Sequence, residues 1–375
     1  MDRQYDFAAL EALLKKRSFK ALREALLELN EVDIAEFLGL LNGEEAVLAF
    51  RTLPKGVAAD VFAELEPETQ QLIVAAATDA ELAVIVEDLY VDDAVDMLED
   101  MPANVVKRIL QQADPEMRKM INEILKYPDD SAGSIMTTEY VSLRPNMTAE
   151  EAIKRIRRVG VDKETIYTCY VTDNNRKLIG MISLRTLMLA DDDDVVQDIM
   201  ETNVISANTL EDQESVAQMF TKYDFSALPV VDQENRLVGI ITVDDAIDVL
   251  QEETTEDFEK MAGMTPSDDT YLRTPVITLA KHRIIWLMVL MLSAMVTGAM
   301  LEYYEAAFVS IPLLVTFIPQ IMDTGGNCGS QASTMIIRGL ALDEISPKDF
   351  TKAWWKEISC LLYTSPSPRD PKTSR

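Results

Sequence analysis

The stretch Ala227-Leu228-Pro229-Val230-Val231-Asp232, followed by Leu237-Val238-Gly239-Ile240-Ile241-Thr242-Val243-Asp244-Asp245, decides the fold. Two β-branched runs flank the polar turn Asp232-Gln233-Glu234-Asn235, and an acidic helical pattern follows. Apolar runs bounded by turn residues predict a strand hairpin that feeds a helix. The chain carries the same pattern once before. There the turn is Thr172-Asp173-Asn174-Asn175 and the second strand is Leu178-Ile179-Gly180-Met181-Ile182-Ser183. Ile135-Met136-Thr137 opens the first copy and Ile199-Met200-Glu201 opens the second, each ahead of an amphipathic helix. Tandem copies of this kind predict a compact α/β pair over residues 129–250.

Towards the N-terminus the character changes. Residues 1–128 are rich in Ala, Leu, Glu and Val at helical spacing, with breaks at Asn42-Gly43, Pro54, Pro67, Pro102 and Pro115. Leu53-Pro54 to Pro67 matches Met101-Pro102 to Pro115 at an offset of 48 residues, so that Val61 corresponds to Ile109. One helix pair cannot bury its apolar face alone, and repeated pairs therefore predict an all-α superhelical domain.

Towards the C-terminus an acidic connecting helix is expected after Asp244, running to about Met261, and with the short linker that follows it makes up residues 251–280. Ile284 to Leu301 is free of charge, and its 18 residues span roughly 27 Å as a helix. A second apolar stretch runs from Ala306 through Asp323 to Ile337. Lys281, His282 and Arg283 precede the first stretch, and Arg338, Lys348, Lys352 and Lys356 follow the second. The positive-inside rule then places both outer ends, and the first 280 residues, on the cytoplasmic side. A partial membrane domain is expected over 281–358, and residues 359–375 read as a non-native tail.

The formal net charge is −29, from 64 acidic against 35 basic residues. Such a chain repels nucleic acid and attracts cations. One histidine, His282, and three scattered cysteines leave no zinc knuckle or disulfide framework. No nucleophile–base pair or P-loop is present, so no enzyme is expected.

Two constellations can carry function. Pro319 to Gln331 places a proline, Asp323, Gly325, Gly326, Asn327, Gly329 and Gln331 inside an apolar stretch. Broken backbone and a carboxylate at membrane depth are tolerated where they line a cavity; a tight helix crossing is the other reading. The second constellation is carboxylates at helical spacing. Asp245, Asp248, Glu252, Glu256 and Glu259 share one helix face, as do Asp92, Asp96 and Glu99. By spacing alone a solvated acidic face is the ordinary reading.

The tandem resembles a pair of CBS domains, carried by Ile135-Met136-Thr137, Ala227 to Asp232 and Gly239 to Asp245. With the helical domain before it and Thr324-Gly325-Gly326-Asn327-Cys328-Gly329-Ser330-Gln331 after it, the chain resembles the MgtE family of magnesium transporters. That resemblance implies a multi-pass homodimer in the inner membrane with cytoplasmic N-terminal domains, two of five expected membrane helices lying in this chain. It implies passive Mg²⁺ conduction, closed by cytoplasmic Mg²⁺ on Asp92, Asp96, Asp224, Asp245, Asp248, Glu253, Glu256 and Asp257. Asp323, Gly325, Gly326, Asn327 and Gln331 would line the pore. ATP could occupy the CBS cleft through Phe225 and Asp245, although Thr186 stands in the first copy where an Asp is expected. A membrane-anchored nucleotide or metal sensor acting through a partner is the alternative.

Overall fold

A computed structural model describes residues 7–99, 101–267, 274–342 and 344–364, without the side chains of residues 162, 314 and 364. The chain divides into two compact units, residues 1–247 and 248–375.

The first unit opens with ten short helices: α1 Phe7–Lys15, α2 Phe19–Leu26, α3 Glu31–Gly39, α4 Gly43–Phe50, α5 Lys55–Ala63, α6 Pro67–Ala76, α7 Asp79–Asp88, α8 Val91–Glu99, α9 Ala103–Gln112 and α10 Pro115–Ile124. The sequence repeat is realised in their starts. Pro54 and Pro102 are the N-caps of α5 and α9, and Pro67 and Pro115 stand in the first turns of α6 and α10. Proline suits these positions because its missing N–H has no intrahelical partner there. Val61 and Ile109, the paired repeat positions, are both fully buried. Arg51 and Arg108 fasten the stack. Arg51 donates to Ala76 O and pairs with Glu81, while Arg108 donates to Ala77 O and pairs with Asp79. Both satisfy carbonyls at the end of α6 that the helix itself leaves open.

Two three-stranded sheets follow, each with a short parallel strand beside an antiparallel hairpin. The first joins β1 Ser142–Leu143, β2 Thr168–Thr172 and β3 Leu178–Ser183; α11 Ala149–Val159 and α12 Leu184–Leu189 belong to the same copy. After the short α13 Val196–Ile199, the second sheet joins β4 Ala207–Asn208, β5 Ala227–Val231 and β6 Leu237–Thr242, with α14 Gln213–Tyr223 packed in its copy. Helix α15, Val243–Met261, leaves β6 directly.

The opening segments do not pair within their own copies. Thr137 exchanges backbone hydrogen bonds with Ile240 on β6, and Glu201 does so with Met181 on β3. Each opening segment therefore crosses to the other copy's sheet. The two strand glycines explain how it fits. A Cβ on Gly239 would lie 2.6 Å from Met136 Sδ, and one on Gly180 would lie 2.5 Å from Met200 Sδ. Tyr170, Leu178, Leu237 and Ile240 form the apolar seam between the copies.

In the second unit, α16 spans Val276–Tyr303, α17 Glu305–Ser310, α18 Leu313–Ala341 and α19 Phe350–Thr364. Among the described residues only α16 is long and apolar enough to cross a membrane, with mean hydropathy 2.3. Three expectations are corrected here. The second apolar stretch is not one segment from Ala306. It breaks at Ile311, because Pro312 pushes its predecessor out of the helical region. The backbone expected to break at Gly325 and Gly326 is continuous α-helix through Pro319 and all three glycines. Glycine costs about 1 kcal/mol per helical residue without preventing the helix. Lastly, the helix runs on to Thr364, so residues 359–364 continue the fold rather than beginning a tail; residues beyond 364 lie outside the described part.

Candidate metal-binding site

Seven carboxylates from three parts of the first unit influence one another, with Glu64 and Glu99 acting on them from the margin. Asp92, Asp93 and Asp96 project from α8, Glu139 and Glu164 come from loops of the first CBS copy, and Asp244 and Asp245 open α15. Their local placement follows from helix capping. Glu139 accepts from the Val91 backbone N–H at 3.1 Å, fixing a carboxylate at the positive start of α8. Asp245 takes the third position of its helix and accepts from the Thr242 N–H at 3.3 Å and from the Thr242 hydroxyl. Thr186 holds the same place in the first copy, its N–H donating to Ser183 Oγ at 3.0 Å. The equivalence of Thr186 and Asp245 inferred from sequence is thus a geometric one.

The electrostatics are one-sided. Burial raises Asp92, the most enclosed of the group, and Asp93 beside it adds repulsion. Burial and then Asp245 and Asp244 push Asp93 up to about 7. Asp96 keeps an outer edge open to solvent, yet crowding by surrounding protein, and then Asp245 and Asp92, push it up to about 8. Burial and then Asp92 push Glu164 up to about 8. Asp245 is raised by burial and then by Asp92, against the opposing Thr242 bonds. After burial, the largest charge influence on each is another carboxylate. Glu164 also holds its Oε2 buried with no hydrogen-bond partner. Buried like charges need protons or a cation to be stable.

The donor set fits a hard divalent ion that keeps part of its water shell. Among the described residues no three Asp, Glu, His or Cys side chains close on a single point as a bare ion would require. Carboxylates spread over three elements instead suit bridging through bound water.

Of the residues singled out in the sequence, Asp92, Asp96 and Asp245 come together here. Asp224 is exposed, at the C-cap of α14 in the left-handed conformation. Asp248, Glu253, Glu256 and Asp257 lie further along α15, where Glu256 pairs with Lys260 at 2.7 Å. Asp93, Glu139, Glu164 and Asp244 were missed. The doublets Asp92-Asp93 and Asp244-Asp245 carried a signal for two of them, whereas the two glutamates sit in loops without periodicity. Phe225 is not core: it is half-buried and stacks on Tyr223 at 5.4 Å. On α18, Asp323, Gly326, Asn327 and Gln331 share one face, with Gly325 off it.

A helical solenoid, a CBS pair whose last helix is acidic, and an apolar helix of membrane length define a membrane protein with a large regulatory part. Family models match in the same order: the MgtE intracellular N domain over 29–130, CBS domains over 132–193 and 196–252, and the divalent cation transporter domain over 318–365. The magnesium transporter MgtE of Thermus thermophilus is 38% identical over 94% of this chain and 79% of its own. That of Bacillus subtilis is 31% identical over 94% of this chain and 77% of its own. A crystal structure of the cytosolic domain of the Mg²⁺ channel MgtE in complex with ATP covers 65% of this chain and 99% of its own, at 40% identity and TM-score 0.62. The soluble part of a magnesium transporter, 36% identical, covers 66% and 97% with TM-score 0.61. The chain belongs to the MgtE family of magnesium transporters.

Proposed function

We propose that this protein conducts Mg²⁺ down its electrochemical gradient across the inner membrane, as a multi-pass homodimer, and that cytoplasmic Mg²⁺ closes it. The observation that carries the sensing part is the partly buried, all-carboxylate cluster drawn from α8, the first CBS copy and α15. With Mg²⁺ present the ion offsets the mutual repulsion and holds the helical domain against the CBS pair. Without it the repulsion favours separation, and α15 carries the change towards the membrane part. Asp92, Asp96 and Asp245 are the central ligands; Asp224, Asp248, Glu253, Glu256 and Asp257 would belong to further ions. Asp93, Glu139, Glu164 and Asp244 extend the central set. The face of Asp323, Gly326, Asn327 and Gln331 would line the conduction path, with Gly325 allowing close helix approach.

Nucleotide is a second ligand to consider, since a 40%-identical cytosolic domain was solved with ATP. Here Asp245 is engaged by Thr242 and crowded by carboxylates, and the first copy has Thr186 in its place, so ATP should bind weakly. The rival reading, a membrane-anchored sensor acting through a partner, draws support from the single qualifying span among the described residues. Mg²⁺ flux into proteoliposomes, using the chain joined to the remaining membrane helices of a relative, separates the two. Flux that falls as Mg²⁺ on the cytoplasmic side rises supports the channel. Mg²⁺ binding without flux would overturn it in favour of the sensor.

A further inference from the structure

Two adjoining concavities in the helical domain share Arg51 as a wall. One, of about 480 Å³, lies between α2 and α4 and is lined by Phe19, Lys20, Arg23, Leu48, Arg51 and Thr52. The other, of about 450 Å³, lies among α4, α5, α6 and α7, with Val47, Phe50, Leu53, Ile73, Val84 and Ile85 forming its apolar surface. Both fall in the size range of small-molecule sites.

The charge at the first is opposite to that of the chain as a whole, while the second is apolar apart from Arg51, Lys55 and Glu81. The protein as a whole carries a net charge of −29, yet Lys15-Lys16-Arg17-Ser18-Phe19-Lys20-Ala21-Leu22-Arg23 holds five cations and no acid. Lys20, Arg23 and Arg51 line the first concavity, Lys20 with Glu24 4.0 Å from its Nζ. Arg51 is locked from behind by Glu81, 3.2 Å away, and by Ala76 O, 2.9 Å away, so the wall is preset. Phe19 and Leu48 are 38% and 42% exposed at the cationic concavity, apolar surface with no role in the helical core. None of these residues belongs to the carboxylate cluster.

We propose that this cleft binds a single-chain anionic amphiphile, its carboxylate or phosphate head on Lys20, Arg23 and Arg51 and its acyl chain in the apolar cavity. The two concavities meet at Arg51, so a molecule with an anionic head and an apolar chain can place its head in one and its chain in the other. A simple inorganic anion would leave the apolar cavity empty, and an uncharged lipid would gain nothing from the cationic side chains beside it. The helical domain would then sense a lipid-derived anion independently of Mg²⁺.

The test uses residues 1–267, because the corresponding soluble part of a relative was crystallised by itself. Calorimetric titration with oleate, and separately with lysophosphatidylglycerol, is run below their critical micelle concentrations. Dodecylamine and a zwitterionic lysophosphatidylcholine serve as controls. Saturable one-to-one binding of either anion, and little of either control, is expected; which anion binds more tightly identifies the head. Lys20→Glu with Arg23→Glu should weaken binding by roughly tenfold or more. Val84→Trp should block the chain while circular dichroism and Mg²⁺-dependent protease protection stay normal. Absence of one-to-one binding, equal binding of the zwitterionic control, or indifference to both variants would overturn the proposal.

Discussion

Replacing Asp93 with Asn removes one carboxylate from the centre of the acidic cluster while keeping its shape. The carboxyl of Asp93 is pushed from 3.8 up to about 7 by burial, then by Asp245 and Asp244. A group whose folded pKa is raised favours the assembled state while protonated. That contribution is complete below about pH 4 and is lost as pH rises through about 7. The shift of roughly three units corresponds to a ceiling of about 4 kcal/mol at pH 8. Neighbouring carboxylates relax once one charge is gone, so about half, ~2 kcal/mol, is the expected gain for Asp93→Asn. For a unit of this size that raises the melting temperature by roughly 4–8 °C. Thermal unfolding of residues 1–267 in chelator reads it directly. The gain should be largest at pH 8, fall to about a third at pH 5, and shrink in millimolar Mg²⁺, where the cation already neutralises the wild-type cluster. A variant that melts with or below wild type at pH 8 in chelator would show that the cluster is not under repulsive load.

Three further outcomes follow from the same geometry. Mg²⁺ should protect residues 1–267 from limited proteolysis as its concentration enters the millimolar range, and Asp92→Ala, Asp96→Ala and Asp245→Ala combined should abolish most of that protection; equal protection of both proteins would refute the sensor assignment. Gly239→Ala should destabilise the CBS pair by about 1–3 kcal/mol, since the added Cβ meets Met136 Sδ at 2.6 Å and Thr137 O at 2.7 Å; chemical denaturation measures it, and Met136→Ala should rescue part of the loss. ATP should bind weakly by calorimetry and lose what affinity it has on Phe225→Ala, whereas tight binding unaffected by that change would mean the base sits elsewhere.

The sequence by itself determined the order and type of the parts. Proline punctuation and a 48-residue repeat marked the helical starts, and hairpin turns with β-branched flanks marked both CBS copies, because these signals are local. It also showed the face shared by Asp92 and Asp96, since helical spacing fixes that face within one element. The same spacing put Asp245 on a face of the later helix, and family resemblance joined the two faces into one metal set; spacing alone gave no reason to prefer a metal site over a solvated surface. Tertiary structure adds that the carboxylates of α8 and the first turn of α15 raise one another's pKa, with Asp92 buried among them, which no spacing within one element could show. Glu139 and Glu164 were invisible beforehand because a loop carboxylate has no period, and only the fold shows that one caps α8 and the other buries an unpartnered oxygen. The exchange of opening segments between the two sheets was hidden for the same reason: strand pairing across the copies is a long-range contact that no local pattern encodes. The glycine-rich stretch on α18 erred in the opposite direction, because its composition suggested a break where the helical hydrogen-bond ladder, needing no side chain, runs on through Gly325 and Gly326.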